Sequence, residues 1–300
     1  MFLILQVLCY NGFYLMKKSG SGIKLFFLAA FLVFCSVSCA TKNVSNNDVP
    51  FTLKDSDFIP SDFLWEPVTA GVERFDFENS AVPLVYHAVK IDLDNPNLEL
   101  VSFPDSKTKT NSTGFFKGQK TSTFAKKNKC VVAVNAAPFE GKLVMKRIVG
   151  VHLYNKTMLS PTNSGYAAIA FSKDGRAEVI KNQTPDLSKN FDFAFGGFFV
   201  VLENDEVIYS FANIYDSRCG AGVSKDGKTL YLLVVEGERK SRSIGLTYPQ
   251  CAKIFSAMGC SNALELDGGG STELCINGKS VLNYPTLRIQ ASCFGFKEKE

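Results

Sequence analysis

Residues 263–272 read Ala-Leu-Glu-Leu-Asp-Gly-Gly-Gly-Ser-Thr, a short apolar strand that runs directly into three glycines. Because glycine has no Cβ atom, its backbone N–H groups can turn toward a ligand and approach it closely, and such a concave set of amides suits a phosphate. The loop matches neither the P-loop nor the dinucleotide-binding fingerprint, and a turn without a ligand is the alternative. The predicted phosphate-binding residues are Gly268, Gly269, Gly270, Ser271 and Thr272.

Two carboxylates of this strand, Glu265 and Asp267, are predicted to be catalytic. Alternate residues of a strand point to the same face, which puts their Cα atoms about 6.6 Å apart at roughly 3.3 Å per residue. Glycoside hydrolysis commonly uses a carboxyl pair around a transition state with oxocarbenium character. The alternative is that Glu265 pairs with a nearby Arg or Lys.

Three apolar runs end in a polar residue that is followed by small residues. The polar residues are Asn135, Glu236 and Asp267. If these strands are neighbours whose ends lie at the same edge of a sheet, the three side chains converge on one concave site. We therefore add Asn135 and Glu236 to the candidate catalytic residues. The alternative is that each residue only caps its own strand or turn.

Two further residues are candidates for binding or proton transfer. Arg218 stands at the entry to another strand, and a guanidinium can hold phosphate oxygens with two parallel hydrogen bonds. A surface salt bridge is the alternative for Arg218. His152 follows an apolar strand and is a candidate general base, but we favour a hydrogen-bonded structural histidine.

The fold is predicted to be α+β, a single domain with a mixed, mostly antiparallel, sheet-rich architecture and few helices. Short β-branched and aromatic runs dominate the chain, as expected of strands. Asp-Gly turns at 173–176 and 225–228 each join two such runs, and Asn277-Gly278 is a third candidate turn. The clearest helix covers residues 248–258, with a capping box at its start and a glycine at its end.

The N-terminal residues predict export. A basic region at Met16 is followed by an apolar run at 25–37, which is the pattern of a signal peptide. This run is shorter than the roughly 20 residues that a membrane span needs. Small residues precede Cys39, so we expect lipidation of Cys39; an uncleaved anchor and plain secretion are the alternatives.

These features divide the chain into three parts. Residues 1–39 are predicted to be a signal segment that starts at Met16 and ends at the lipidated Cys39. Residues 40–80 are predicted to be a polar spacer and irregular lead-in, and residues 81–300 to be the functional domain. The expected location is the cell envelope, with a lipid anchor in a membrane on the periplasmic or surface side.

Charge and cysteine content restrict the partners. The net charge of +4 is partly concentrated in the signal segment and the remaining charges are interleaved, so nucleic acid binding is not expected. Six of the nine cysteines lie in the predicted domain, where they can form disulfides or remain buried thiols. We predict no metal site and no required cofactor, although a carboxylate-rich pocket could accept a divalent cation.

The blocks at these positions, taken in order, resemble those of the phosphodiester glycosidase family. Residues 263–272 are similar to that family's Ala-Leu-Asn-Leu-Asp-Gly-Gly-Gly-Ser block, and residues 134–139 to its Val-Asn-Gly-Gly-Phe-Phe block. Residues 217–218 and 235–237 are similar to its Pro-Arg-Thr and Val-Asp-Gly blocks. The resemblance covers most of the chain from about residue 85. It implies hydrolysis of a glycosyl phosphodiester at the anomeric carbon, with Asp267 and Glu236 serving the sugar.

Five positions depart from the family pattern. Alanines stand at 136 and 137 where the family has glycines, and Cys219, Glu236 and Glu265 stand in place of Thr, Asp and Asn. The added methyl groups are expected to narrow the approach to Asn135. The alternative function is therefore a non-catalytic envelope lipoprotein that binds phosphoglycans.

Overall fold

The structure, a computed structural model, describes residues 53–209, 214–286 and 288–299. The strands in this part of the chain are β1 (Glu66–Thr69), β2 (Val72–Asn79), β3 (Leu84–Asp92), β4 (Leu98–Phe103), β5 (Phe116–Lys117), β6 (Val132–Asn135), β7 (Phe139–Glu140), β8 (Met145–Ile148), β9 (His152–Tyr154), β10 (Thr157–Ser160), β11 (Ala168–Phe171), β12 (Ala177–Ile180), β13 (Phe193–Gly196), β14 (Val200–Glu203), β15 (Glu206–Val207), β16 (Arg218–Val223), β17 (Thr229–Val235), β18 (Asn262–Glu265), β19 (Leu274–Ile276), β20 (Lys279–Ser280) and β21 (Cys293–Glu298). The helices are α1 (Thr121–Lys127), α2 (Leu187–Asn190) and α3 (Tyr248–Met258), and single 3₁₀ turns cover Asp55–Asp57 and Gly269–Ser271.

The strands form four sheets. The main sheet has the order β1-β2-β3-β17-β16-β18-β14-β15. Two five-stranded sheets have the orders β10-β9-β13-β11-β12 and β20-β19-β6-β21-β4, and a small sheet has the order β5-β8-β7. This confirms the predicted α+β, sheet-rich fold with few helices, and every pairing between strands of the described residues is antiparallel.

Alternation along β17 shows how the main sheet divides the core. Leu232 and Val234 point into a core shared with both five-stranded sheets. Leu233 and Val235 point to the other face, where helix α3 packs. Successive side chains of a strand point to opposite faces, so a continuous apolar run is what a strand buried on both faces requires.

Local signals in the sequence predicted several elements correctly. Helix α3 covers the expected residues, carries the capping box and ends at Gly259 with a φ of 102°. The turn glycines Gly175 and Gly227 have φ values of 84° and 71°, which glycine adopts without steric cost. Asn277 and Gly278 also have positive φ and join β19 to β20, the two-residue hairpin expected of Asn-Gly.

The expected irregular lead-in differs from the structure. Strands β1 and β2 lie within residues 66–79, and β2 pairs with β3 over eight positions. Arg74, Asp76 and Glu78 alternate along one face of β2, where Arg74 pairs with Glu66, whereas Phe75 on the opposite face is buried. Because its charged residues resemble those of a polar spacer, this strand was not predicted from the sequence. The folded domain therefore begins before residue 81.

Several expectations concern residues outside the described part of the chain. The signal segment, the start at Met16 and the lipidated Cys39 all lie there. None of the helices within the described residues is long and apolar enough to cross a bilayer. The six cysteines of the domain are buried free thiols, so the disulfide alternative is not seen.

Candidate functional site

A cavity of about 450 Å³ opens beside the glycine loop, at the end of β18. Of the predicted site residues, those that line it are Arg218, Glu265, Asp267, Gly268, Gly269 and Gly270. Phe198, Tyr248 and Arg288 complete much of the wall. Carboxyl groups, guanidinium groups and aromatic rings thus share one concave surface, as is typical of a site for a polar ligand.

The glycine loop connects two packed sheets, and Asn135 holds both of its ends. The Asn135 side-chain amide donates to the backbone carbonyl of Asp267 at 2.6 Å. The backbone N–H of Glu273 donates to the Asn135 side-chain carbonyl at 2.8 Å. Asn135 is 1% exposed and is not among the residues that line the cavity. Its side chain therefore fixes the loop and does not face the ligand space.

Most amides of the loop are already used inside the protein. Gly269 N–H donates to Ser217 O at 2.9 Å, and the amides of Ser271 and Thr272 donate to Gly268 O and Gly269 O at 3.2 and 3.0 Å. These bonds set the 3₁₀ turn and leave only the amides of Gly268 and Gly270 for a ligand. Ser271 and Thr272 are buried, so our prediction that both bind phosphate directly is not supported by the geometry.

The two carboxyl groups of β18 and its exit differ in environment. Burial raises the pKa of Asp267 to about 6, although a hydrogen bond from Ser271 and the charge of Arg288 oppose this shift. Burial raises the pKa of Glu265 to about 8 against the opposing charge of Arg218. At neutral pH Asp267 is mostly ionised and Glu265 mostly protonated. This is the division of protonation that acid and base roles require.

The Glu265 carboxyl group is buried beside the Cys219 backbone and the Arg218 charge, both of which lower its pKa against the effect of burial. Neither carboxyl oxygen makes a hydrogen bond of normal geometry, and the residue is 2% exposed. The alternative that Glu265 forms a salt bridge is therefore not seen in this part of the chain. An unsatisfied buried carboxyl group is costly, and a hydroxyl group of a bound sugar could satisfy it.

Arg218 is held by backbone carbonyl groups. Its Nε donates to Leu246 O at 2.8 Å and its Nη2 donates to Ile214 O. The guanidinium carbon lies 3.8 Å from the centroid of the Tyr248 ring. Arg218 is 5% exposed and two of its nitrogens are bonded to backbone carbonyl groups, so it forms part of the cavity wall, and its role as a phosphate clamp stays a prediction.

Arg288 is the arginine that the sequence analysis missed. Its Nη1 donates to the Ser271 hydroxyl at 3.3 Å, and its Nε would lie only 3.2 Å from a Cβ atom at position 270. The side chain is exposed and lines the cavity. No motif surrounds residue 288, and only the three-dimensional structure shows that the segment after β20 returns to the loop.

Glu236 belongs to a separate buried cluster. Its oxygens accept from Asn283 N–H at 3.2 Å and from Arg242 Nε at 3.1 Å, and one oxygen lies 3.3 Å from His87 Nε2. His87 Nδ1 in turn lies 2.6 Å from Asp76. Burial opposes ionisation of Glu236, but His87, Asn283 and Arg242 lower its pKa overall. The predicted convergence therefore unites Asn135 with Asp267, and Glu236 lies outside the cavity lining.

His152 has the structural role that we favoured. It is completely buried, its Nε2 lies 2.9 Å from Pro104 O, and its Nδ1 lies 3.2 Å from the Ser292 hydroxyl. Burial lowers its pKa to about 4. In the described residues no group of three His, Cys, Asp or Glu side chains is arranged to hold a metal ion.

The departures from the family blocks fall mostly in the core. Ala136 and Ala137 are buried in two different hydrophobic clusters, and Cys219 is completely buried with its Sγ 3.6 Å from Asn135 O. The alanine methyl groups therefore fill core space, and the expected narrowing of the site is not seen. Of the departing residues, only Glu265 lines the cavity.

The unusual protonation of Glu265 predicts a pH-dependent stability. The unfolded carboxyl group ionises near 4.5, whereas the folded one keeps its proton up to about 8. The free energy of unfolding should therefore fall by up to about 1.4 kcal/mol per pH unit across this window because the folded state binds one more proton. Glu265→Gln should remove this dependence, as measured by urea unfolding at several pH values. Asp267 contributes to the pH dependence of both the native protein and Glu265→Gln. Plots of unfolding free energy against pH that run parallel for the two proteins would therefore contradict the prediction.

Residues 128–296 match the phosphodiester glycosidase family. An SPbeta prophage-derived uncharacterized protein, YomE, of Bacillus subtilis (strain 168) is 32% identical over 173 residues, which is 54% of this chain and 26% of the relative. This chain therefore spans about a quarter of that relative's length.

Two solved structures share the fold. A hypothetical protein from Synechocystis has a TM-score of 0.64 at 15% identity, over 77% of this chain and 63% of the other. The catalytic domain of zebrafish N-acetylglucosamine-1-phosphodiester alpha-N-acetylglucosaminidase, auto-inhibited by its pro-peptide, has a TM-score of 0.59 at 18% identity, over 81% and 86%. The fold is thus common to all three, and the match over residues 128–296 shows that this chain belongs to the phosphodiester glycosidase family.

Proposed function

We propose that this protein is an exported glycosidase that hydrolyses the bond between a sugar and the phosphate of a glycosyl phosphodiester. Family membership supports glycosidase chemistry on phosphodiesters. The observation that carries the assignment to this cavity is that the carboxyl groups of Glu265 and Asp267 line one concave surface together with the exposed Arg288. The zebrafish relative's name supplies the substrate class, which we extend here to this chain.

Asp267 and Glu265 have different roles at the sugar in this proposal. The bond between the anomeric carbon and the phosphate oxygen breaks, and the phosphate leaves as a phosphomonoester. A water oxygen then bonds to the anomeric carbon, and the Asp267 carboxylate stabilises the positive charge of the sugar or takes the water proton. Glu265 in its protonated form donates a hydrogen bond to a sugar oxygen. Since phosphate is a good leaving group, its departure does not require a strong general acid.

The phosphate is held on the other side of the same cavity. Arg288 provides a cation beside the Ser271 hydroxyl, and Gly268 and Gly270 provide the remaining amides of the loop. A guanidinium and backbone N–H groups together are strong donors to phosphate oxygens. Arg218 contributes through its position in the wall, because backbone carbonyl groups occupy its Nε and Nη2.

Asp267→Asn tests the chemistry. It should lower the rate of sugar release from a glycosyl phosphodiester by about 10²–10⁴-fold, because an amide can neither accept the proton nor balance the charge. The measurement is release of free sugar, with thermal unfolding as a check of the fold. Asp205→Asn is a matched control on an exposed loop with positive φ. Unchanged turnover in Asp267→Asn would refute the role, and saturable substrate binding by the native protein without release would favour the phosphoglycan-binding alternative.

Arg288→Ala tests the phosphate site. Loss of a charge-assisted hydrogen bond should lower kcat/KM by roughly 10–100-fold, mainly through KM, and should weaken inhibition by inorganic phosphate. Arg176→Ala is the control because Arg176 is exposed and pairs with Asp174 on a distant hairpin. Equal phosphate inhibition in Arg288→Ala and in the native protein would show that phosphate is held elsewhere.

We also propose that the enzyme works in the cell envelope, anchored through a lipid on Cys39. The support is the sequence pattern of residues 16–39. Metabolic labelling with a radioactive fatty acid should label the native protein and not Cys39→Ala, and the variant should leave the membrane fraction. Equal labelling of both proteins would exclude this site.

A further inference from the structure

The hairpin formed by β7 and β8 ends in three consecutive exposed apolar side chains. Leu143, Val144 and Met145 are 88%, 40% and 40% exposed. Single apolar residues on a surface are ordinary, but a contiguous exposed group commonly marks a site of interaction. Half of the exposed large hydrophobic residues of the described chain lie at this tip.

The backbone presents this tip in a fixed shape. Met145 N–H donates to Lys142 O at 3.1 Å, and Gly118 N–H donates to Val144 O at 2.8 Å. Leu143 has a φ of 49°, a left-handed conformation that is uncommon for a branched, bulky residue. Asparagine would suit this conformation better. The tip therefore presents the Leu143 side chain at some cost in backbone conformation.

Cations surround the apolar tip. Residues 113–120 and 139–148 contain five basic residues and one carboxylate. That carboxylate, Glu140, is paired with Arg147. Lys117 lies opposite Met145 in the small sheet, and both Lys117 and Lys142 are exposed. The surface thus combines protruding apolar side chains with unbalanced positive charge.

We propose that this hairpin tip docks on a membrane surface rich in anionic lipids. Leu143, Val144 and Met145 enter the interface between headgroups and acyl chains, and Lys117 and Lys142 contact the headgroups. The combination of inserted apolar side chains and flanking cations is the chemistry of peripheral membrane binding. A soluble anionic polymer would need the cations but not the exposed leucine.

The tip lies near the candidate site. Gln119 and Gln290 form a β-bridge, which joins the segment beside the hairpin to the chain that carries Arg288. Lys146 of β8 is close enough to Arg288 for their positive charges to interact. Membrane docking itself does not depend on the proposed glycosidase activity, so failure of one leaves the other standing.

A local reporter tests the insertion. Residues 25–37 form an apolar run of their own, so bulk vesicle binding by the full chain would be ambiguous. Val144→Trp in the full chain should show a blue-shifted emission with vesicles of phosphatidylglycerol and phosphatidylcholine, and quenching by brominated acyl chains. Native protein, with Trp65 alone, gives the background. Absence of both the shift and the quenching would overturn the proposal.

Two sets of variants in the Val144→Trp chain separate the contributions. Leu143→Asn should lower insertion by about tenfold because one leucine side chain is no longer buried, while stability is kept or raised. Leu64→Asn, at a leucine that is 74% exposed, should have no effect. Lys117→Glu with Lys142→Glu should abolish the preference for anionic vesicles, whereas Lys189→Glu with Lys225→Glu should not. Insertion that is unchanged by Leu143→Asn, or binding of a soluble polyphosphate in place of vesicles, would overturn the proposal.

Discussion

One buried amide, the side chain of Asn135, determines where the glycine loop lies. It donates to the carbonyl of Asp267 and accepts from the amide of Glu273, so that a single planar group joins the residues on either side of the loop. The same bonds attach the end of β6 to the segment that leads from β18 of the main sheet to β19 of the neighbouring sheet. Both hydrogen bonds are protected from water, and a side chain with only a donor or only an acceptor would leave one backbone group buried without a partner.

The position of the loop in turn sets the charges of the cavity. Both Asp267 and Glu265 line the cavity, as expected for alternate residues of an extended segment. Burial raises both pKa values, and Arg218 and Arg288 oppose the shifts. The difference between the two carboxyl groups arises from depth, since Glu265 is almost fully enclosed while Asp267 is partly exposed. At position 265, where the resembled family block has Asn, this chain has an ionisable carboxyl group in the cavity wall.

The arginine that extends over the glycine loop is not the one that the sequence suggested. Arg218 belongs to a recognisable block but is buried and bonded to two backbone carbonyl groups. Arg288 has no surrounding motif and yet extends over the loop. Glu236 shows the same effect, because it ends an apolar strand as expected but turns toward His87 and Arg242 instead of the cavity. In each case the neighbours of the side chain, and not its residue type, decide what it can bind.

The sequence by itself determined the local elements and the family. Helix α3, the Asp-Gly and Asn-Gly turns and the strand that enters the glycine loop all depend on residues within one turn or one strand. Strand β2 was missed because its charged face resembles a spacer. Only the tertiary structure decided the roles of individual side chains. Asn135 is hydrogen-bonded to Asp267, 132 residues away in the sequence, and Glu236 lies beside His87, 149 residues away. Such contacts depend on strand order and burial, and neither can be read from a short window of sequence.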